Sequence, residues 1–203
     1  TTPLTSSFDI IQDSANAYVW QRANAPMLFA TNNTERLRID SAGRLGLGVT
    51  PEAWSSIFKV LRVGTGSSIA GESGGSSTWF NTNAYYDGSW KRINTNTSAQ
   101  IAHTSDGKQE FKVAAAGSAG GAISWNTAMT VDNSGNVLVG KTSTDDGVAG
   151  LRVSSLGVIV STIASPSTNT YLMYSGGYKF YVNTNGGISN FSANNVNLSD
   201  ERE

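Results

Sequence analysis

Short runs of β-forming residues alternate with clusters of Gly, Asn, Asp and Ser along most of the chain, the pattern of strands joined by tight turns. Clear runs cover residues 34–40, 58–63, 108–113, 157–164 and 178–182. Helical periodicity is nearly absent. One segment alone, residues 51–58, predicts a short helix: Thr50 stands as its N-cap, Pro51 as its first residue and Glu52 as a first-turn acid.

The pattern also repeats. The string Leu37-Arg38-Ile39-Asp40-Ser41-Ala42-Gly43-Arg44-Leu45-Gly46-Leu47-Gly48 aligns with Met129-Thr130-Val131-Asp132-Asn133-Ser134-Gly135-Asn136-Val137-Leu138-Val139-Gly140, an offset of 92 residues from Asp40 to Asp132. Leu61-Arg62-Val63 aligns with Leu151-Arg152-Val153 at an offset of 90 from Leu61 to Leu151. Two matches at nearly one offset read as a duplicated unit. Within it, Leu37 and Ile39 alternate with Arg38, so one face of the strand is apolar. The Asp-x-x-Gly that follows is turn chemistry: the carboxylate accepts from backbone two residues on, and Gly tolerates positive φ. Leu45 and Leu47 resume the alternation with Gly46 and Gly48 between them. A β-hairpin is expected, with glycines where backbone approaches something closely, a neighbouring chain about a threefold axis being one such neighbour. The chain divides into residues 1–63 with the first copy, 64–153 with an aromatic, Gly-rich module and the second copy, and a strand-rich end piece, 154–203.

Composition narrows the class. The chain has 203 residues, 38% hydrophobic and 14% charged, with 22 Gly and a formal net charge of -1. Disorder at this hydrophobicity normally comes with high net charge, so an ordered, elongated β protein with a thin core, completed by partner chains, fits better. The basic residues are scattered, with Lys91-Arg92 the closest group, which argues against nucleic acid as a partner. No run approaches a membrane helix, so no membrane insertion is expected. The opening Thr1-Thr2-Pro3-Leu4 lacks the blocks of a signal peptide and reads as a cut from a longer chain. With no cysteine, disulfides and thiolate metal sites are excluded, and oligomerisation is a remaining route to stability.

Three features carry a family resemblance. The duplicated hairpin is similar to one that recurs in bacteriophage tail fibres. Asn83-Ala84-Tyr85-Tyr86-Asp87-Gly88-Ser89-Trp90-Lys91-Arg92-Ile93, then Ala114-Ala115-Ala116-Gly117-Ser118-Ala119-Gly120-Gly121-Ala122-Ile123-Ser124-Trp125, then the hairpin, resembles a module of the same proteins in order and spacing. The end, Leu198-Ser199-Asp200-Glu201-Arg202-Glu203, resembles the opening of the intramolecular chaperone domain of tail fibres and endosialidase tailspikes, where Ser-Asp-x-Arg precedes self-cleavage by a Ser-Lys dyad. Ser199, Asp200 and Arg202 match; the lysine would follow Glu203, where this sequence stops. Ser199 is thus the family's self-cleavage serine in a dyad incomplete here, and no enzymatic activity is expected. The resemblance implies an all-β, elongated, interwoven homotrimer made in the host cytoplasm and carried on the virion. It would join other phage tail proteins on its N-terminal side and bind a bacterial surface glycan or outer-membrane receptor. No cofactor is implied.

Candidate contact residues follow from side-chain chemistry. Trp79, Phe80, Tyr85, Tyr86 and Trp90 form the densest aromatic group, and flat rings with polar edges suit both sugar faces and interfaces. Tyr171, Tyr174, Tyr178, Phe180 and Tyr181 sit among Asn, Ser and Gly, the composition of adaptable binding surfaces. Three identical sites would add avidity. The enzymatic alternative, a polysaccharide-degrading tailspike fragment, needs two carboxylates about 5–10 Å apart, and Glu72 and Asp87 are the best pair. A purely structural shaft is the other alternative. His103, the single histidine, could hold a metal only where trimerisation supplies three copies. Asp145-Asp146-Gly147 and Asp132-Asn133-Ser134-Gly135 lack the spacing of an EF-hand and read as turns.

Overall fold

A computed structural model describes residues 8–163, 171–174, 178–182 and 188–190. The chain is all-β; among the described residues there is no helix. It divides into two compact units, Thr1–Ala128 and Met129–Glu203.

The first unit opens with a two-stranded hairpin, β1 (Phe8–Gln12) and β2 (Ala17–Gln21), followed by β3 (Met27–Thr31), β4 (Thr34–Ile39), β5 (Leu45–Leu47), β6 (Phe58–Val63), β7 (Ser67–Glu72) and β8 (Thr78–Thr82). A small pair, β9 (Tyr85–Tyr86) and β10 (Trp90–Lys91), precedes β11 (Ser98–His103) and β12 (Gln109–Ala114). Strands β3 to β8, β11 and β12 form a sheet in chain order, since β11 pairs with β8. All its pairs are antiparallel except β5 with β6. The second unit takes up the end of β13 (Asn126–Val131), which with β14 (Val137–Val139), β15 (Gly150–Val153) and β16 (Ile159–Thr162) forms an antiparallel meander. A three-stranded piece comprises β17 (Tyr171–Tyr174), β18 (Tyr178–Val182) and β19 (Ile188–Asn190).

The expected helix over residues 51–58 does not form. Its amides bond elsewhere: Ser55 N–H donates to Tyr86 O at 2.7 Å, and Phe58 N–H, already starting β6, donates to Ser55 O. The segment is too short to sustain a helix without packing. Packing instead favours an irregular path that buries Pro51, Trp54 and Phe58 and aims Glu52 at Arg62.

Both hairpins of the echo form, with the same hydrogen bonds. Asp40 N–H donates to Arg44 O and Gly43 N–H to Asp40 O; Asp132, Asn136 and Gly135 repeat this. Each carboxylate Oδ1 accepts two backbone amides, from Ala42 and Arg44 in one copy and Ser134 and Asn136 in the other, all at 2.9 Å. Gly43 and Gly135 sit at φ 78 and 81, where a side chain would be strained.

The turn recurs twice more. Thr104 N–H donates to Lys108 O and Gly107 N–H to Thr104 O; Ser154, Val158 and Gly157 do likewise. Gly107 and Gly157 have φ 80 and 83. A type I turn closed by a left-handed glycine is therefore used four times among the described residues. The echo shows only two, because Thr and Ser replace Asp at the other first positions.

Candidate functional site

The sheet of the first unit has two unlike faces. On one, Phe58, Val60 and Ala70 are buried under Trp54, with Trp79, Tyr85, Tyr86 and Trp90 packed around them. Beside this cluster the same face is polar. Arg62, Ser68, Asn81 and Gln100 stand opposite one another on β6, β7, β8 and β11, and all four are buried. Buried polar groups need partners, and most of these have them, Gln100 Oε1 being an exception. Asn81 Nδ2 donates to Ser68 Oγ at 3.2 Å and Gln100 Nε2 to Asn81 Oδ1 at 2.8 Å. The Arg62 guanidinium donates to Ser67 O at 2.6 Å and pairs with the Glu52 carboxylate at 2.6 Å.

The opposite face is apolar and open. Its central row runs through Ile39, Leu45, Leu61, Ile69, Phe80 and Ile101, bounded by Met27 on β3 and Phe111 on β12. Alternation puts Arg38, Gly46, Arg62, Ser68, Asn81 and Gln100 behind it. A groove of about 560 Å³ lies along this face, walled by Val63, Ile69, Phe80, Ile101, Phe111 and Val113. An antiparallel sheet with one face to water normally turns polar side chains outward; here the polar row is inside. His103 lies on the open face, its ring edge-on to Phe80 with centroids 6.0 Å apart.

The aromatic candidates are brought together, but inward. Trp90 lies edge-on to Trp54 at 6.1 Å, to Tyr86 at 5.4 Å and to Trp125 at 6.2 Å, and Phe58 lies edge-on to Trp79 at 5.0 Å. Trp79, Tyr85, Tyr86 and Trp90 are each half-buried in this cluster, whereas Phe80 points to the open face. The module after β10 is fixed from within: buried Arg92 donates to Ala115 O at 2.7 Å and to Ala122 O at 2.6 Å. Asn83, at φ 54, donates to Asn96 O at 2.8 Å and accepts from Asn94 N–H.

The two candidate carboxylates are each held in their own local surroundings. Asp87 is gripped by Lys91 at 2.6 Å, and that hydrogen bond holds its carboxyl below the usual range. A general acid needs a raised value. Glu72 belongs to β7, opposite Phe58, and its carboxylate curls over Gly75 in its own turn. Among the described residues, no group of three His, Cys, Asp or Glu could hold a metal ion. Asp145 Oδ1 accepts from Gly147 N–H at 2.8 Å and Asp146 pairs with Arg152 at 2.8 Å, turn and surface roles respectively.

The expected close neighbour of Gly46 is also identified. A Cβ there would meet Val49 O at 2.1 Å and Pro51 Cδ at 2.8 Å, so the approaching backbone is the chain's own. Gly48 has φ 67 and nothing within 4 Å of a built Cβ. Of the end-piece tyrosines, Tyr171 and Tyr174 lie on β17 and Tyr178 and Tyr181 on β18, with Tyr171 opposite Val182, Leu172 opposite Tyr181 and Tyr174 opposite Tyr178. Ser199 and the motif around it lie outside the described residues. No family model, curated protein or solved structure matches the chain.

The unexpected element is the buried polar row. Alternation alone marks which residues share a face, and it left open which face the rest of the chain would cover. The one available signal was that Arg62, Ser68, Asn81 and Gln100 each put a polar side chain on the opposite parity from the apolar row within their strand.

Proposed function

We propose that this chain is a segment of a bacteriophage tail fibre, structural and adhesive in role, that works as a homotrimer and attaches the particle to a glycan or protein receptor on the bacterial surface. The observation that carries this reading is the pair of tail-fibre-like hairpins, which fold with the same capped turn and each leave apolar residues exposed, Leu45 and Leu47 in one and Val139 in the other. A single chain with that surface is incomplete, as a strand of a multi-chain fibre is. Receptor contact is assigned to the end piece with Tyr171, Tyr174, Tyr178 and Tyr181. The inward packing of Trp79, Tyr85, Tyr86 and Trp90 favours a scaffold role for their module, and to that extent a structural shaft is the second reading.

Light scattering during size-exclusion chromatography tests the assembly: the expected mass is three times that of the chain. Labelled trimer is then mixed with bacteria of many surface types. Saturable binding to some of them, lost when Tyr178 and Tyr181 are changed to Ala, supports adhesion through the end piece. A folded trimer that binds none supports the shaft. Release of new reducing ends from capsule or lipopolysaccharide would overturn both in favour of a hydrolase.

A further inference from the structure

The open face of the first unit's sheet calls for an occupant. Leu45, Leu47, Ile69, Phe80, Ile101 and Val113 are each between 37% and 48% exposed, although all but Val113 sit on inner strands of the sheet. At roughly 200 Å² for a fully exposed large side chain, they leave about 500 Å² of apolar surface open. That is at the upper end for a monomer's largest patch and approaches the ~800 Å² per partner of a standard interface.

We infer that this face is where copies of the chain meet, packing it against the same face of their neighbours. This deepens the trimer reading above and rests on it for the number of copies. Three observations choose a second copy over a foreign partner. First, the central row and the row beside it, through Leu37, Leu47, Val63, Thr82, Ala99 and Val113, carry no charge. These two rows therefore meet their own copies without like-charge repulsion, while Lys59 and His103 stand in the next row of the same face, at its margin.

Second, the duplicated unit repeats the apolar rows and part of their exposure. Val131, Val137, Val153 and Ile159 stand in one row of the second unit, with Met129, Val139 and Leu151 in the next. Of these, Val131, Val137, Met129 and Val139 are the positions equivalent to Ile39, Leu45, Leu37 and Leu47; Val139 is exposed, as is Ile159 on the last strand of the meander, and the others are partly buried. A foreign protein would have to match this surface twice, whereas a second copy supplies the match for each unit by itself. Third, the reverse face is already closed by the chain's own loops and hydrogen bonds, so the polar side cannot serve instead.

Because the chain has no cysteine, the test is clean. Ile101→Cys and, as a control on the covered side, Ala53→Cys are treated with a short bis-maleimide. Ile101→Cys is expected to give covalent multimers and Ala53→Cys to remain single chains on a denaturing gel. In parallel, Phe80→Glu and Ile101→Glu are weighed by light scattering, with circular dichroism as the check on folding. Each carboxylate would be buried unpaired at the interface, so association is expected to weaken by more than about tenfold. A wild-type oligomer whose Ile101→Cys form cross-links no better than the control, or whose folded Glu variants keep their mass, overturns this surface and leaves the trimer standing. A monomeric wild type overturns both.

Discussion

The two copies of the duplicated unit begin alike and end in opposite directions. In each, an Asp-capped hairpin leads into a connection and then a strand carrying Leu-Arg-Val. In the first copy, β5 pairs with β6 in parallel, Gly46 opposite Arg62. In the second, β14 pairs with β15 antiparallel, Leu138 opposite Arg152. The same central pair is kept while the strand is reversed. A parallel neighbour requires the chain to cross over the sheet, and the crossing backbone of Val49 to Pro51 lies directly on Gly46. The equivalent residue, Leu138, fills that space with its own side chain, at 1% exposure. There the connection stays at the strand end, curled round Lys141, whose Nζ donates to Asp145 O at 2.6 Å and Val148 O at 2.9 Å. A side chain absent at Gly46 and present at Leu138 on the covered face thus goes with the two different topologies.

The sharpest way to break this comparison is to exchange the deciding residues. Gly46→Leu places a side chain where Val49 and Pro51 already are, and about 3 kcal/mol or more of stability is expected to go. Leu138→Ala opens a cavity under the second sheet at about 3 kcal/mol. All five tryptophans lie in residues 20–125, so fluorescence during denaturant unfolding follows the first unit and circular dichroism adds the second. A Gly46→Leu protein with an unchanged fluorescence midpoint would remove glycine from the account of the crossover.

The arginines offer the next contrast. Arg62 is fully buried and its partner Glu52 is mostly so; Arg152 is paired with Asp146, whose side chain is 53% exposed. Removing one member of a buried pair strands the other charge, so Glu52→Ala is expected to cost about 3 kcal/mol. Asp146→Ala should cost less than about 1 kcal/mol. Equal losses in urea titrations of the two variants would mean that burial does not separate the pairs.

Acid sharpens the role of the first turn. Burial works to raise the carboxyl of Asp40, but the backbone amide of Arg44, the Arg44 guanidinium and the amide of Ala42 outweigh it and hold the group below its ordinary value. A depressed carboxylate stabilises the fold fully above its unfolded value, and that contribution is lost as the pH falls through the folded one. Melting temperature should therefore fall less steeply for Asp40→Asn than for wild type between about pH 4 and pH 2. Parallel acid limbs would show that the turn holds without its charge.

How much of this was legible in the sequence differs by level. The β class, the hairpins and the Asp-to-Gly turn chemistry could be read, because alternation and a left-handed glycine are local signals. The path of residues 51–58 could not: Thr50, Pro51 and Glu52 spell a helix start, and only the contacts of Trp54, Phe58 and Arg62 overrule it. Strand direction after Gly46 was equally hidden, since it depends on what lies across the sheet. The covered face was hidden for the same reason. Alternation sorts Leu61 from Arg62 without saying that the arginine goes inside.

The gentlest test concerns the fourth turn, which uses Ser154 where the echo has Asp. Its hydroxyl accepts one amide, from Val158 at 3.0 Å, whereas Asp40 and Asp132 accept two. Leu156 N–H occupies the place of Ala42 N–H in this turn, and a carboxylate at residue 154 would reach both donors. If the capped turn is a transferable unit, Ser154→Asp should stabilise the second unit by about 0.5 kcal/mol, the modest net value of one added hydrogen bond. The shift is small but signed: a raised thermal midpoint, followed by circular dichroism, means that turn chemistry alone explains why the motif recurs. A lowered midpoint means that the serine is held by its surroundings, and the recurrence in β15 and β16 then reflects strand packing rather than the turn.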